Sequence, residues 1–459
     1  MSQMSILEKI KDAGVVGCGG AGFPTHAKFS GEVEYLIINA AECEPLLKTD
    51  HFVMRNHAVE TIKAIEMVKS QVGAEFAVIA TKRYYTEEIA ALRSAITELD
   101  ASVTIHEMDN VYPTGDEQVM VFEVTGRVVP PSGIPLMVGC IVSNVSTMWN
   151  VFHAIQDDAP VVRKQLTVTG AVGEPKLLDV PVGTPFEVCL AAAGGTNLDE
   201  YLFLDGGPMM GKLNDQSTIA DKVVTKTTSG LIVAEDTGYL HKLHYQTVEQ
   251  IFNETKSACI QCSLCSDLCP RQQLGHDIHP HKVMRHFAVA EDITDIKPDP
   301  IWEEAMICCE CGICEVIACP MGLSPRQVNI HVKKELLKQG VRYQTDKKEF
   351  TPDPMREYKS IAPKNILIKM GLQQYADVHL EKMHYLEVDE VFIPTKMHIG
   401  APSIPVVSEG DIVKKGDLIA KIPDTALGAN IHASIDGQII RITEEQVHIK
   451  KVMSLKWIR

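Results

Sequence analysis

Between Tyr35 and Met108 short apolar runs alternate with amphipathic stretches. The runs "YLIIN", "FAVIAT" and "SVTIHEM" are rich in β-branched residues, and they are separated by "HAVETIKAIEMVKSQVG" and "TEEIAALRSAITELD", which carry helical spacing. This βαβαβ order predicts a mostly parallel sheet covered by helices, with Thr86 as the N-cap of the second helix. Sheets of this kind bind ligands in loops beyond the carboxyl ends of their strands. Upstream, "MSQMSILEKIKDAG" predicts a short amphipathic helix ending at Gly14.

The pattern changes near residue 161. Runs such as "KQLTVTGAV" and "YLFLDGGPMMG", separated by glycine and proline turns, predict a small α+β module that ends in the extended "VVTKTTSGLIVA" segment. Two helices are expected in 245–342, the second opening at Ser324-Pro325 and stopping at Gly340, with Lys333, Lys334 and Lys338 toward its C-terminal end. The proline- and charge-rich stretch 343–389 reads as a connector. From 390 to 459 the chain is β again, with turns at Gly410-Asp411, Gly416-Asp417 and Asp436-Gly437 that predict a small sandwich or barrel. The expected division is therefore 1–160, 161–244, 245–342, 343–389 and 390–459. A multidomain α/β chain is also what 459 residues demand, because one core rarely grows that large.

Composition narrows the function. With 45% hydrophobic and 23% charged residues the chain is neither disordered nor fibrous, and a net charge of −16 without a basic tract argues against a nucleic-acid partner. The N-terminus lacks a signal-peptide apolar core, and "IPLMVGCIVSNV" is too short for a transmembrane segment, so a cytoplasmic protein is expected. Nine of the 13 cysteines fall between Cys259 and Cys319. An odd total without a secretion signal points to metal rather than disulfides.

The cysteines form two motifs, Cys259-x2-Cys262-x2-Cys265-x3-Cys269-Pro270 and Cys308-x2-Cys311-x2-Cys314-x4-Cys319-Pro320. The first has the spacing of bacterial-type [4Fe–4S] ferredoxins, and the second carries one extra residue before its last cysteine; in two-cluster ferredoxins the fourth cysteine of each motif serves the other cluster. One cluster is therefore expected on Cys259, Cys262, Cys265 and Cys319, and the other on Cys308, Cys311, Cys314 and Cys269. Cys309 is left over. Structural zinc prefers two separated pairs. The histidines of "GHDIHPHKVMRH" (His276, His279, His281, His286) straddle a helix start and are not expected to bind metal. The C-terminal "PDTALGANIHA" hairpin lacks the lysine of a biotinyl or lipoyl carrier, which leaves a scaffold or docking role.

The stretches "GCGGAGFPTHAKF", "NAAECEP", "YPTGDEQ" and "SNVST" resemble, in that order, the FMN- and NADH-binding segments of the flavoprotein subunit of respiratory complex I and of the RnfC protein of the Rnf complex. Residues 161–211 resemble the β-grasp (SLBB) module that follows in that family. The ferredoxin motifs and the barrel-sandwich segment are similar to RnfC, where the barrel is N-terminal. With the barrel last, the arrangement is most similar to the cobalamin reductases of propanediol utilisation.

The resemblance implies a Rossmann-like FMN/NADH domain and residue roles within it. Gly17, Gly19, Gly20 and Gly22 would let the backbone lie close to flavin and dinucleotide, Phe23 would stack on the dinucleotide, and Lys28 would meet the FMN phosphate. Asn39 and Asn144, with Thr147 beside the second, would read flavin edges or phosphate oxygens. Glu42 and Glu44 would hydrogen-bond ribose or flavin. Tyr112, Gly115, Asp116 and Glu117 would line the approach of nicotinamide. The sequence departs from the complex I pattern at Ala41, Cys43 and Asp116, which stand in place of aspartate, serine and glutamate.

The activity implied is NADH oxidation through FMN and two [4Fe–4S] clusters, with no protein nucleophile or general base. Cob(III)alamin and cob(II)alamin are the leading acceptors, in the cytoplasm or within a bacterial microcompartment. Two alternatives stay open. The chain could be an NADH-side component of a hetero-complex with a partner such as methylenetetrahydrofolate reductase or proline reductase, or an adaptor that only wires partners together.

Overall fold

The computed structural model describes residues 4–452; residues 1–3 of the expected first helix and 453–459 of the expected barrel lie outside them. Helix α1 (Ile6–Asp12) starts with a capping box in which Ser5 and Glu8 satisfy each other's backbone amides, and the chain leaves it through Gly14 at φ +64°. Strands β1 (Tyr35–Ala40), β2 (Phe76–Lys82), β3 (Val103–Met108) and β4 (Cys140–Asn144) form a parallel sheet in the order β3-β2-β1-β4. Helices α2 (Ala58–Gln71), α3 (Thr86–Glu98), α4 (Glu117–Thr125) and α5 (Val145–Gln156) connect and cover it. One face packs Leu36 and Ile38 against Ile62, Ile65, Met148 and Val151. The other packs Ile37 against Met120 and Val121. Burial on both faces explains why the strands read as unbroken apolar runs. Thr86 proves to be the first helical residue rather than the cap: Tyr85 takes that position, and its buried phenol donates to the Ala41 carbonyl at 3.1 Å.

A second sheet, β10-β6-β5-β9-β7-β8, is built from β5 (Arg163–Gly170), β6 (Lys176–Pro181), β7 (Tyr201–Asp205), β8 (Lys212–Asp215), β9 (Gly230–Glu235) and β10 (Met383–Tyr385). Helix α6 (Phe186–Ala192) buries Phe186, Cys189 and Leu190 against it. Next come α7 (Val248–Ala258), α8 (Pro280–Val289) and α9 (Pro325–Lys338), which share a core of Phe252, Phe287, Trp302, Val328 and Val332.

The stretch 343–389 is more than a connector. It forms α10 (Pro363–Met370), capped by Gly371 at φ +72°, and β10, which adds a parallel edge to β6. Ile366, Leu367 and Met370 of α10 join the core that holds Leu46, Tyr112, Met209 and Cys311. The surrounding prolines and charges hide this short apolar stripe in the sequence.

The last module packs the sheet β11-β17-β16-β13 against the sheet β12-β14-β15 around Val391, Ile393, Ile419, Ile431 and Ile449. Its strands are β11 (Glu390–Pro394), β12 (Ile404–Pro405), β13 (Ile412–Val413), β14 (Leu418–Lys421), β15 (Ile431–His432), β16 (Gly437–Ile442) and β17 (Gln446–Lys450). The barrel is docked onto the rest of the chain. Phe392 N–H donates to the Gly183 carbonyl at 2.9 Å, Ile399 N–H to Gly22 at 3.1 Å, and Ser434 Oγ to Val182 at 2.6 Å. Between the modules, buried Lys226 Nζ donates to the carbonyls of Gly14 (2.7 Å) and Asn430 (2.8 Å).

Burial pushes the Lys226 ammonium down to about 7. Between about pH 7 and 10 the unfolded chain therefore carries a proton here that the folded chain does not, and stability rises with pH across that window. Below the window the contribution is at its minimum. The thermal midpoint of the natural protein minus that of Lys226→Met, followed from pH 6.5 to 10, should show this rise, on the order of 1 kcal/mol per pH unit. A flat difference would mean that the lysine stays charged in the fold.

Candidate flavin cleft and cluster module

β1 and β4 are paired in register, Asn39 opposite Asn144, at the point where the sheet order reverses. A crevice beyond the carboxyl ends of strands at such a point is the expected ligand site. A cleft of about 610 Å³, partly open to solvent, lies there. Of the residues expected to hold cofactor, Gly19, Asn39, Glu42, Glu44, Gly115 and Asn144 line it. So do Cys43, the departure noted above, and Cys18, Asp50, Ser146, Lys164 and Gln165, which the sequence alone does not single out. Ser146 sits inside the quoted "SNVST", but Lys164 and Gln165 come from β5 of the next module, so no local motif could flag them.

The cleft wall is tightly bonded. Asn39 Nδ2 donates to the Gly115 carbonyl (2.9 Å), which joins the loops after β1 and β3. Asn144 caps α5 by accepting from the amides of Ser146 (2.9 Å) and Thr147 (3.3 Å), and its Nδ2 donates to Asp50 (2.7 Å). Ser146 Oγ donates to the other Asp50 oxygen at 2.6 Å. Glu42, held at φ +27°, accepts from the Asp50 amide at 3.2 Å, and Glu44 accepts from the amides of Met209 (2.8 Å) and Met210 (2.9 Å). Desolvation pushes Glu42 up to about 8, helped by the neighbouring Asp50 charge, and pushes Glu44 up to about 7 against its two amide bonds.

The glycine loop itself is shaped for a close approach. Gly17 N–H donates to the Phe23 carbonyl at 3.0 Å and closes the loop. A β-carbon at Gly19 would crowd the Asn144 side chain at 3.0–3.2 Å, whereas one at Gly20 would meet nothing within 4 Å, so the backbone presents an open face. Gly22, at φ +73°, lies against Thr227 and Met397 of the later modules. These features fit FMN: exposed backbone and polar side chains around a cleft that is open to solvent.

Other expected residues lie away from the cleft wall. Lys28 donates to the Val142 carbonyl (2.8 Å) and has Glu117 3.8 Å away. Thr147 is buried, and its Oγ1 accepts from the Cys18 amide at 2.9 Å. Tyr112 and Asp116 face the cysteine module. Tyr112 Oη donates to the Cys311 carbonyl at 2.8 Å. Asp116 caps α4 and takes a bidentate pair with Arg271 at 2.6 and 2.9 Å. Both side chains are needed to bond that module, which is why they do not line the cleft. Burial alone would raise Asp116, but the Arg271 guanidinium and the capped amides hold it below the usual carboxylate range.

Cys259, Cys262, Cys265 and Cys319 surround one cavity. Cys269, Cys311 and Cys314 are buried nearby, with Cys308 half-buried beside them. Both motifs bend alike: Gln261 and Ser263 flank Cys262 at φ +55° and +64°, and Glu310 and Gly312 flank Cys311 at +62° and +83°. Left-handed backbone on ordinary residues costs about 1–2 kcal/mol each, so its repetition marks a shared demand to turn the thiols inward. The extra residue before Cys319 is absorbed by a π-helical turn over Cys314–Ala318. Among the described residues no three His, Cys, Asp or Glu side chains close on one ion; a cubane, with irons at separate corners, needs wider spacing. The four histidines have separate partners: the Val129 carbonyl for His276, Glu304 for His279, Ser266 for His281 and Asp299 for His286.

Family comparisons agree with this layout. Residues 10–153 match the Nuo51 FMN-binding domain, 165–213 the SLBB domain, 258–324 the 4Fe-4S dicluster domain and 372–458 the RnfC barrel sandwich hybrid domain. Fold and site together define an oxidoreductase that carries FMN and two [4Fe–4S] clusters and transfers electrons. The chain is 39% identical over 447 residues to the cobalamin reductase PduS of Citrobacter freundii, covering 97% of this chain and 96% of that one. It is 37% identical to PduS of Salmonella typhimurium over 98% and 97% of the two chains. The chain belongs to the PduS cobalamin reductase family. It is also 31% identical, over 59% of its length and 58% of the other, to the RnfC-type component of the Na(+)-translocating ferredoxin:NAD(+) oxidoreductase complex of Acetobacterium woodii.

The Asp116–Arg271 pair gives a direct test of the join. Asp116→Asn keeps the helix cap but leaves a buried guanidinium uncompensated, and Arg271→Met leaves a buried carboxylate; each should cost about 3–5 kcal/mol. The double variant should lose less than the sum. Guanidinium midpoints of the holoprotein's first cooperative transition, in a double-mutant cycle, measure this. Strictly additive losses would mean that the two side chains do not depend on each other.

Proposed function

We propose that this chain oxidises NADH and delivers the electrons to a corrinoid, reducing cob(III)alamin and cob(II)alamin. The observation that carries the reading is the loop after β3. Its Gly115 carbonyl and amide are bonded to Asn39 and Cys43 in the cleft, while Tyr112 and Asp116 on either side reach Cys311 and Arg271 in the cysteine module. Cleft and cluster module thus share one rigid segment. FMN, when bound, supplies the ability to take two electrons as hydride and release them singly, which suits clusters that each accept one. NADH becomes NAD⁺ with release of one proton and two electrons, enough for two successive one-electron reductions of the corrin.

The residues of the chain then have distinct tasks. Gly19 and Gly20 leave backbone open for a flat ligand, and Asn39 and Asn144 fix the strand ends around it. Glu42 and Glu44, raised toward neutrality by desolvation, can act as hydrogen-bond donors as well as acceptors to ribose or flavin. Lys28 and Thr147 brace the cleft from behind through the Val142 carbonyl and the Cys18 amide. The eight motif cysteines hold the clusters in the crossed arrangement set out above. The nearly full-length similarity to proteins named cobalamin reductase supports the choice of acceptor. No helix among the described residues is long and apolar enough to cross a membrane, which is compatible with work in the cytoplasm or a microcompartment.

A second reading has an observation of its own. Ile260 and Met321 are exposed around the Cys262 cavity, and the likeness to an RnfC-type protein favours a protein acceptor in a hetero-complex.

Anaerobic mixing of the FMN- and iron-reconstituted protein with NADH and cob(III)alamin separates the two. Flavin and cluster absorbance should bleach and the corrin spectrum should change faster than with free FMN. Bleaching with an unchanged corrin would move the acceptor to a protein partner, and absence of bleaching would remove NADH as the donor.

A further inference from the structure

The cleft contains a cation that nothing else in the fold uses. Lys164, the second residue of β5, is 5% exposed, lines the cleft beside Asp50, Ser146 and Gln165, and has no hydrogen-bond or ion-pair partner among the described residues. The body of the side chain is packed away while the residue lines the open cleft, so an anion bound there would give the ammonium the partner it lacks in the fold. Lys28 and Lys82 are already engaged, and Lys48 lines a separate cavity with His51 and Arg55. Lys28 is bonded to the Val142 carbonyl, and Lys82 donates to the Glu42 carbonyl at 3.2 Å. Asp50, a carboxylate of the cleft wall, has both oxygens occupied by Asn144 and Ser146. The Lys164 charge acts on Asp50 from beyond ion-pair distance.

We infer that Lys164 is the cationic partner of a phosphoryl group on the nucleotide bound in this cleft, so that the β-grasp module, and not only the Rossmann-like domain, completes the site. The inference rests on the nucleotide-binding reading given above. Geometry favours Lys164 over Lys28 because it is unpaired and faces the cavity, whereas Lys28 is spent on the strand end behind it. A compact ammonium on a flexible stem suits a phosphoryl oxygen, which accepts from any direction. Because the module fixes β5 through its own sheet, the charge arrives preorganised.

Two phosphoryl sources share this chemistry, the monophosphate of FMN and the pyrophosphate of NADH. Flavin-fluorescence quenching on the flavin-free, cluster-loaded protein gives the affinity for FMN and for riboflavin, which lacks the phosphate. Competition by ADP-ribose reads the dinucleotide side. Lys164→Gln should weaken one phosphorylated ligand roughly ten- to hundred-fold, as for loss of a charge-assisted hydrogen bond. Riboflavin affinity should stay within about two-fold. Loss confined to FMN assigns the flavin phosphate, and loss confined to ADP-ribose assigns the dinucleotide. Lys164→Arg should retain most of the affinity, and unchanged near-UV circular dichroism and cluster absorbance would show that both variants fold. Equal affinities of Lys164→Gln and the natural protein for FMN and ADP-ribose would overturn the inference, as would an equal loss for riboflavin. Natural protein that binds FMN but is not bleached by NADH would sink the NADH reading while leaving this binding test intact.

Discussion

The structure depends on a buried ion pair at the join between two modules. Asp116 belongs to the loop beside the candidate flavin cleft, and Arg271 follows Cys269 of the first cysteine motif by two residues. Arg271 is buried and Asp116 largely so, and each charge is tolerated there chiefly because the other is beside it. The pair is bidentate, which fixes orientation as well as distance. With the Tyr112 phenol on the Cys311 carbonyl, it locks the loop after β3 against the second cysteine motif. Electron transfer needs such constancy, because a donor and an acceptor that drift apart lose coupling.

A second connection runs through the β-grasp module. Glu44 in the cleft accepts from the amides of Met209 and Met210, the Met209 carbonyl accepts from Arg326 at 2.7 Å, and Arg326 pairs with Glu315 at 3.4 Å. Glu315 lies next to Cys314 and also accepts from Tyr239 at 2.6 Å. The turn "GGPMMG" therefore has a carboxylate on one side and a guanidinium on the other. Its glycines are required by that closeness: a β-carbon on Gly207 would overlap the Glu44 side chain.

Patterns carried by consecutive residues were legible in the sequence. The parallel sheet, the paired cysteine motifs and the turns of the last module all follow from local spacing, and the family matches cover these same segments. Features that arise between distant segments were not. Lys164 reads as an ordinary strand residue until β5 is placed over the ends of β1 and β4. Asp116 reads as a cleft residue until Arg271, 155 positions later, is brought against it. The helix Pro363–Met370 was hidden because two turns of apolar spacing are too few to stand out among prolines and charges. The π turn at Cys314 was visible only as a miscount, one residue too many between cysteines, whose meaning required the backbone.

The barrel meets residues far from those that lead into it. It bonds Gly22 in the first module and Val182 and Gly183 in the second, and Lys226 ties Asn430 to Gly14. Its seat is thus specified by surface chemistry rather than by the point at which its polypeptide is attached. A gene rearrangement that moves its coding segment from one side of the redox modules to the other can therefore leave the assembled particle unchanged, provided the linker spans the gap.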